Sequence, residues 1–266
     1  MIPKKIHYCW FGKGPKPAVF EKCLNSWKKF MPDFQIKEWN EENTNLDEIP
    51  FLREAYDQKK WAFVSDVVRL MAVYREGGIY MDTDVELYCS FEEYLQYDAF
   101  FFFQNHYQIA TGLGFGACPG NSLLEKLIDD YKISEFRTDR MIEITCPVKN
   151  TAVICREIPE FVANSHTQLH RNMLFATYED YYRMAKHYGE FSWADDLHRK
   201  ALRFAKKKHG HWKIKKALRN PKLFNFLNNH HLGAVSKVYS FLVHDFIDYG
   251  IAYWIVRCWQ KLTKQD

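Results

Sequence analysis

No two cysteines of this chain stand in a C-x-x-C pair, and their number, seven, is odd. That spacing argues against a zinc site and against a disulfide framework, and leaves reduced thiols in a cytosolic protein as the expectation. No run of 18 or more uncharged apolar residues occurs, so no ordinary transmembrane helix is expected. The opening MIPKKIHYCWFG has no long apolar stretch after its lysines and does not read as a secretory leader. The glycines of Gly112-Leu113-Gly114-Phe115-Gly116 are not followed by a helix start and a lysine, which excludes a phosphate-binding P-loop. Acidic residues are missing from Leu197 to His244, where Lys and Arg are frequent. The net charge of +4 therefore hides a basic C-terminal part and a net acidic remainder.

What is present is enough for a large core. Of 266 residues 47% are hydrophobic and 17% aromatic, which suits one sizeable domain, or a domain with an appendage, and argues against a mostly disordered chain. Core packing accounts for most of the aromatics. Strand-like and helix-like stretches alternate from 1 to 103, which predicts a layered α/β domain. Residues 2–11 read as a first strand with Ile6, Tyr8 and Trp10 on one face. Pro17–Phe30 has helical spacing, Phe34–Trp39 alternates as a strand, and Ile49–Lys60 is helical again. Ala99–Phe103 is a candidate buried strand, and Asn121–Tyr131 an amphipathic helix.

The stretch Trp61–Tyr88 carries the chemistry. Val64, Val67, Val68, Met71 and Tyr74 make one apolar helical face, while Asp66 and Arg69, three apart, share another, with Glu76 on roughly that side. Gly77-Gly78 stops the helix. Ile79-Tyr80-Met81 then suits a short buried strand, whose alternation would leave Asp82 and Asp84 pointing the same way. Two converging carboxylates call for a cation, and a hard divalent ion with oxygen ligands, Mn²⁺ or Mg²⁺, is the natural one. An isolated Asp-x-Asp is more often a solvated turn; here it follows a strand and a helix bearing Asp and Arg.

Ser65, Asp66, Arg69, Gly77, Gly78, Tyr80, Asp82 and Asp84 stand in register with S-D-x-x-R-x-x-x-L-x-x-x-G-G-x-Y-x-D-x-D, with Val73 in the leucine position. That pattern resembles the donor-site motif of DXD glycosyltransferases with a GT-A fold, family 32 in particular. That family holds capsular-polysaccharide and lipopolysaccharide sugar transferases, yeast mannosyltransferases and, more distantly, the large clostridial glucosylating toxins. The resemblance implies a GT-A-type nucleotide-sugar-binding fold with a mixed central sheet flanked by helices. It places a catalytic domain over 1–196, followed by a basic helical extension over 197–266.

The resemblance also implies roles. Asp82 and Asp84 hold the metal, with Asp82 on metal or ribose. Asp66 and Arg69 hold the donor sugar hydroxyls, Arg69 also approaching the phosphates, and Tyr80 lines ribose and base. Trp10 lies near the nucleobase, although the residues alone favour a core position for it. Trp39 and Asn40 are base or ribose contacts, against an equally good reading as an asparagine-rich turn. Asn105 and Thr111 are weaker donor-site or acceptor-site contacts, and His7 is structural. Ile144–Thr151 resembles the family's T-G-P-x-x-x-T element with Cys146 in the glycine place, and Thr151 reads as the N-cap of a helix to about Ile158. Near the domain end His187, or alternatively Glu190, completes the metal shell, and Trp193 closes over the nucleotide.

The expected activity is metal-dependent, retaining transfer of a sugar from a nucleotide sugar, UDP-linked by preference, to a glycan or lipid-linked glycan in surface-polysaccharide biosynthesis. Two rivals use the same residues differently: a metal-dependent nucleotide-sugar hydrolase or nucleotidyltransferase, and a non-enzymatic protein whose basic tail meets membrane or nucleic acid. For 198–262 the preferred reading is docking on an anionic membrane surface, where each basic residue gains about 1 kcal/mol. A solvated helix with a packing helix is the alternative. Nucleic acid fits the charge but has no accompanying motif. The expected location is cytoplasmic, peripheral on the inner face of the membrane.

Overall fold

A computed structural model describes residues 1–138, 143–164 and 166–189, within a unit that runs from Met1 to Glu190. Its elements, in order, are β1 (Lys5–Cys9), α1 (Ala18–Phe30), β2 (Gln35–Trp39), α2 (Pro50–Asp57), α3 (Trp61–Glu76), β3 (Gly78–Tyr80) and β4 (Val85–Leu87). There follow β5 (Ala99–Phe102), β6 (Phe115–Ala117), α4 (Ser122–Lys132), α5 (Cys146–Glu157), β7 (Gln168–His170), β8 (Met173–Ala176), α6 (Tyr178–Met184) and β9 (Ala185–His187).

Seven strands form one mixed sheet in the order β2-β1-β3-β6-β5-β8-β7, and β4 pairs with β9 in a separate two-stranded sheet. β1 is parallel to β2 and β3, β5 is parallel to β8, and β6 runs antiparallel between β3 and β5. The strands β1, β2, β3, β5 and β8 therefore all point one way. Their C-terminal ends make a single edge, where α/β sheets place their ligands. The predicted α/β class with a mixed central sheet flanked by helices is what the structure shows.

Alternation along β5 explains how both faces are covered. Phe100 and Phe102 join Ile6, Tyr8, Phe20, Trp27 and Ile79 in one apolar cluster. Phe101 points the other way and stacks between Phe115 and Phe175. All four β5 side chains are buried, as a strand covered on both faces requires. α3 packs against β1, α2 and α4. Each large apolar side chain taken from water contributes roughly 1.5–3 kcal/mol.

The turn from α3 into β3 is built on glycine. Gly77 and Gly78 have φ of 64° and 104°, and a Cβ at Gly77 would lie 2.7 Å from both Pro3 and Pro119. His7, wholly buried, secures the turn from β1. The Trp39 indole N–H donates to His7 Nδ1 (3.1 Å), so the ring proton sits on Nε2 and is donated to the Gly77 carbonyl (2.8 Å).

Several local expectations change. β3 ends at Tyr80, and Asp82-Thr83-Asp84 is a turn rather than a strand, closed by the Val85 amide on the Asp82 carbonyl (3.1 Å). The two aspartates converge through that turn and not through strand alternation. β4 leaves the main sheet altogether. Glu76 faces away from Asp66 and Arg69, pairing with Lys5 and Lys37. Thr151 is not an N-cap: α5 starts at Cys146, and the Thr151 hydroxyl, in mid-helix, accepts from the Ile109 amide (2.9 Å). An apolar-periodicity reading misses this start because Cys146-Pro147 opens the helix with few apolar residues.

Burial pushes the His7 imidazole below its ordinary value. A protonated His7 would set an N–H against the Trp39 N–H. The unfolded chain takes up this proton below about pH 6.5 and the folded chain resists it, so stability present above that pH is lost as pH falls through it. Urea unfolding between about pH 7.5 and about pH 5.5 should show falling stability, with a shallower slope in His7→Asn.

Candidate active site

The turn at the end of β3 places Asp82 and Asp84 at the carboxyl edge of the sheet. Asp82 is fastened at two levels. Its amide donates to the Gly112 carbonyl (3.1 Å). Its Oδ1 accepts from the Tyr80 hydroxyl (2.8 Å) and from Arg69 Nη2 (2.9 Å). Oδ2 is left on the His187 side, with Gly112 so near that a Cβ there would collide with it. Asp84 is buried.

The third group arrives from far along the chain. β9 runs antiparallel to β4 with Val85 opposite His187, and the Tyr188 amide donates to the Asp84 carbonyl (3.0 Å). His187 Nε2 thereby lies 3.0 Å from Asp84 Oδ1 and 4.0 Å from Asp82 Oδ2. One ligand atom from each of the three residues falls within 4.8 Å of the others. Neighbouring ligands of an octahedral ion with bonds near 2.1 Å sit about 3 Å apart, so these spacings suit a divalent ion. Two carboxylates with an imidazole fit Mn²⁺ well, carboxylates being its usual ligands.

Behind the aspartates lies a buried ionic network. The Arg69 side chain is 4% exposed; its Nη1 is 2.8 Å from Asp66 Oδ1, and its guanidinium lies 4.8 Å over the Tyr80 ring. Burial opposes its charge, yet Asp82, Tyr80 and Asp66 together hold its pKa above the ordinary arginine value. Burial pushes the Asp66 carboxyl up to about 6; Arg69 pulls it down and Asp82 raises it again. The Cys146 backbone N–H, at the first residue of α5, also helps hold the Asp66 carboxyl down, and the helix dipole there favours an anion. Thr111 Oγ1 receives Asn150 Nδ2 (3.0 Å) and is 3.5 Å from Arg69 Nη1. Arg69 Nε and Asn150 Oδ1 have no hydrogen-bond partner among the described residues.

The structure therefore brings Asp66, Arg69, Tyr80, Asp82, Asp84 and His187 into one connected group. Trp10, Trp39 and Asn40 sit on the same sheet edge, at the ends of β1 and β2, each engaged locally. Half-buried Trp10 donates to the Gly14 carbonyl (2.8 Å), Trp39 is buried on His7, and Asn40 Nδ2 donates to Glu38 (3.0 Å). Asn105 closes its own turn by accepting from the Tyr107 and Gln108 amides. Glu190 and Trp193 lie outside the described residues, as does the basic extension. Gly112, Asn150 and the Cys146 amide escaped the sequence reading. Only the glycine-rich loop hinted at the first, and a helix start placed at Thr151 hid the other two. Burial pushes the Cys9 thiol, beside Tyr80 and Arg69, up to about 12, so it is no nucleophile near neutral pH.

Residues 17–101 match the family described as "Glycosyltransferase sugar-binding region containing DXD motif". That span includes Asp66, Arg69, Tyr80, Asp82 and Asp84, whereas His187 lies beyond it. Among solved structures, one titled "PaToxG Glycosyltransferase" is 18% identical, with 59% of this chain and 70% of that chain covered and a TM-score of 0.48. Another, "crystal structure of a glycosyltransferase involved in the glycosylation of the major capsid of PBCV-1", is 11% identical, covering 70% of this chain and 93% of that one, with a TM-score of 0.39. No curated protein matches the chain.

Arg69→Met should lower the unfolding free energy by about 3–5 kcal/mol, because it leaves Asp66 buried without its counter-charge. Urea denaturation checks this, and Asp66→Asn should cost less, since it removes a charge instead of orphaning one.

Proposed function

We propose that the chain, whose residues 17–101 match the DXD-containing sugar-binding region of glycosyltransferases, is a sugar transferase that works with Mn²⁺ or Mg²⁺ held by Asp82, Asp84 and His187. The donor is a nucleoside-diphosphate sugar, UDP-linked by preference, and the acceptor a hydroxyl of a glycan or lipid-linked glycan. The observation that carries this reading is the arrival of His187, from outside the matched region, within 3.0 Å of one DXD carboxylate and 4.0 Å of the other.

The bound cation would supply Lewis-acid stabilisation of the charge that develops on the leaving diphosphate. The chain's own residues do the rest. Tyr80 and Arg69 occupy Asp82 Oδ1 and so leave Oδ2 to the His187 side. Gly112 leaves room for that oxygen. Asp66 keeps Arg69 aimed at Asp82, which supports a supporting role for this pair more directly than the contact with sugar hydroxyls expected from the resemblance. The position of Trp10, Trp39 and Asn40 on adjoining strand ends is the support for base and ribose contacts there. Retention of anomeric configuration, with the departing phosphate taking the acceptor's proton, is carried over from the resemblance and requires no protein nucleophile.

The catalytic domain over 1–196, the basic extension over 197–266, peripheral attachment to an anionic membrane and a role in surface-polysaccharide synthesis belong to the same proposal. Their support is the charge pattern of the sequence. No helix of the described residues is long and apolar enough to cross a membrane.

Thermal shift with UDP- and GDP-sugars should show stabilisation that requires Mn²⁺ and disappears in Asp84→Ala. No response to any nucleotide sugar in the unsubstituted chain would defeat the transferase reading, and donor cleavage without a glycosylated product would favour hydrolysis. Gly112→Ala should keep the fold and lose the Mn²⁺-dependent part of the shift, because its methyl displaces Asp82 Oδ2. Circular dichroism and the same melt check both halves.

A further inference from the structure

His187 reaches the aspartates on a short support. β9 has three residues and pairs with one equally short strand, Ala185 opposite Leu87 and Lys186 opposite Glu86. A ladder of this size is marginal without additional contacts. On its other side β4 is held by α1: the Trp27 indole donates to the Val85 carbonyl (2.7 Å), and the Leu87 amide donates to Ser26 Oγ (2.9 Å). Among the described residues no main-chain hydrogen bond joins α1 to β9. That link is made by side chains, just beyond His187.

The Tyr188 hydroxyl donates to Glu86 Oε2 (2.7 Å). Lys22 Nζ, from α1, donates both to that carboxylate oxygen (3.0 Å) and to the Tyr188 oxygen (2.7 Å). Lys186 Nζ covers the Tyr188 ring at 4.3 Å from its centroid. One residue thus ties three elements: its amide holds the Asp84 carbonyl, and its phenol holds β4 and α1. Glu86 is the less exposed partner, its side chain at 15% against 58% for Lys22, so the Tyr188–Glu86 bond is the stronger part of the clamp.

We propose that Tyr188 is a positioning residue for the metal site, and that the Tyr188–Glu86–Lys22 clamp sets the affinity for the divalent cation by fixing β9 with His187 against Asp84. The inference rests on the assignment of Asp82, Asp84 and His187 as ligands. Residues that orient a ligand without touching the ion commonly alter affinity by 10–100-fold. At the lower end of that range, losing the phenol hydroxyl should weaken Mn²⁺ binding by about 10-fold. Tyr188→Phe is the cleanest change, since it leaves the ring beneath Lys186.

The test is Mn²⁺ binding to the full chain without nucleotide sugar, read by electron paramagnetic resonance of the free ion. Tyr188→Phe should raise the Kd about 10-fold, and Glu86→Gln should raise it in the same direction. In a His187→Ala background, Tyr188→Phe should have no further effect, because the ligand it positions is gone. An unchanged Kd in Tyr188→Phe, or an equal loss with and without His187, would overturn the clamp while leaving the ligand assignment standing. An unsubstituted chain that binds no Mn²⁺ would overturn both. Should Tyr188→Phe fail to fold by circular dichroism, Glu86→Gln carries the same comparison.

Discussion

A guanidinium almost sealed from water is the constraint on which the site depends. Arg69 sits inside the domain, where its charge is tolerable only against carboxylates, and Asp66 and Asp82 supply them. Such a pair contributes little net stability once desolvation is counted, but it is costly to break and strongly directional. Its product here is orientation. One oxygen of Asp82 is committed to Arg69 and Tyr80, and the other is left toward His187. The glycine turn that His7 secures and the backing of Gly112 carry that orientation from the sheet edge to the carboxylate.

The layered fold was largely legible because periodicity and burial agree. The four aromatic and small residues of β5, the apolar stripe of α1 and the Gly-Gly stop after α3 all behave as their patterns suggest. What failed was local hydrogen bonding. Asp-Thr-Asp reads equally as strand or turn by alternation, and only the Val85-to-Asp82 bond decides for the turn. Thr151 looked like a cap because threonine caps so often, while its hydroxyl was taken by an amide 42 residues away in sequence. Long-range partners of that kind leave no periodic trace.

The site divides along the same line. Asp66, Arg69, Tyr80, Asp82 and Asp84 lie within one short motif, and its resemblance to a known donor-site pattern marked them out. His187 was narrowed to a choice with Glu190 only through the family resemblance, and the pairing of β9 with β4 brings it to the aspartates. Asn150 and the Cys146 amide went unseen, because a helix start is weakly marked when proline and cysteine open it. Trp39 shows how one residue serves two readings. It stands on the ligand edge of the sheet, yet its indole N–H is spoken for by a structural histidine.

The position of His187 has a bearing on how the protein is made. The motif that supplies two carboxylates is complete by Asp84, while the imidazole opposite Val85 belongs to the last described strand. Chains emerge at about 5–20 residues per second. The acidic pair therefore exists for several seconds before His187, its third partner in the proposed site, leaves the ribosome. During that interval it can hold a cation only weakly, through oxygen atoms alone. Tight capture waits for closure of a contact of long sequence separation, the slowest kind to form. On the proposed assignment the order of events becomes folding first and metal afterwards, and the ion would then stabilise a strand that had already found its place.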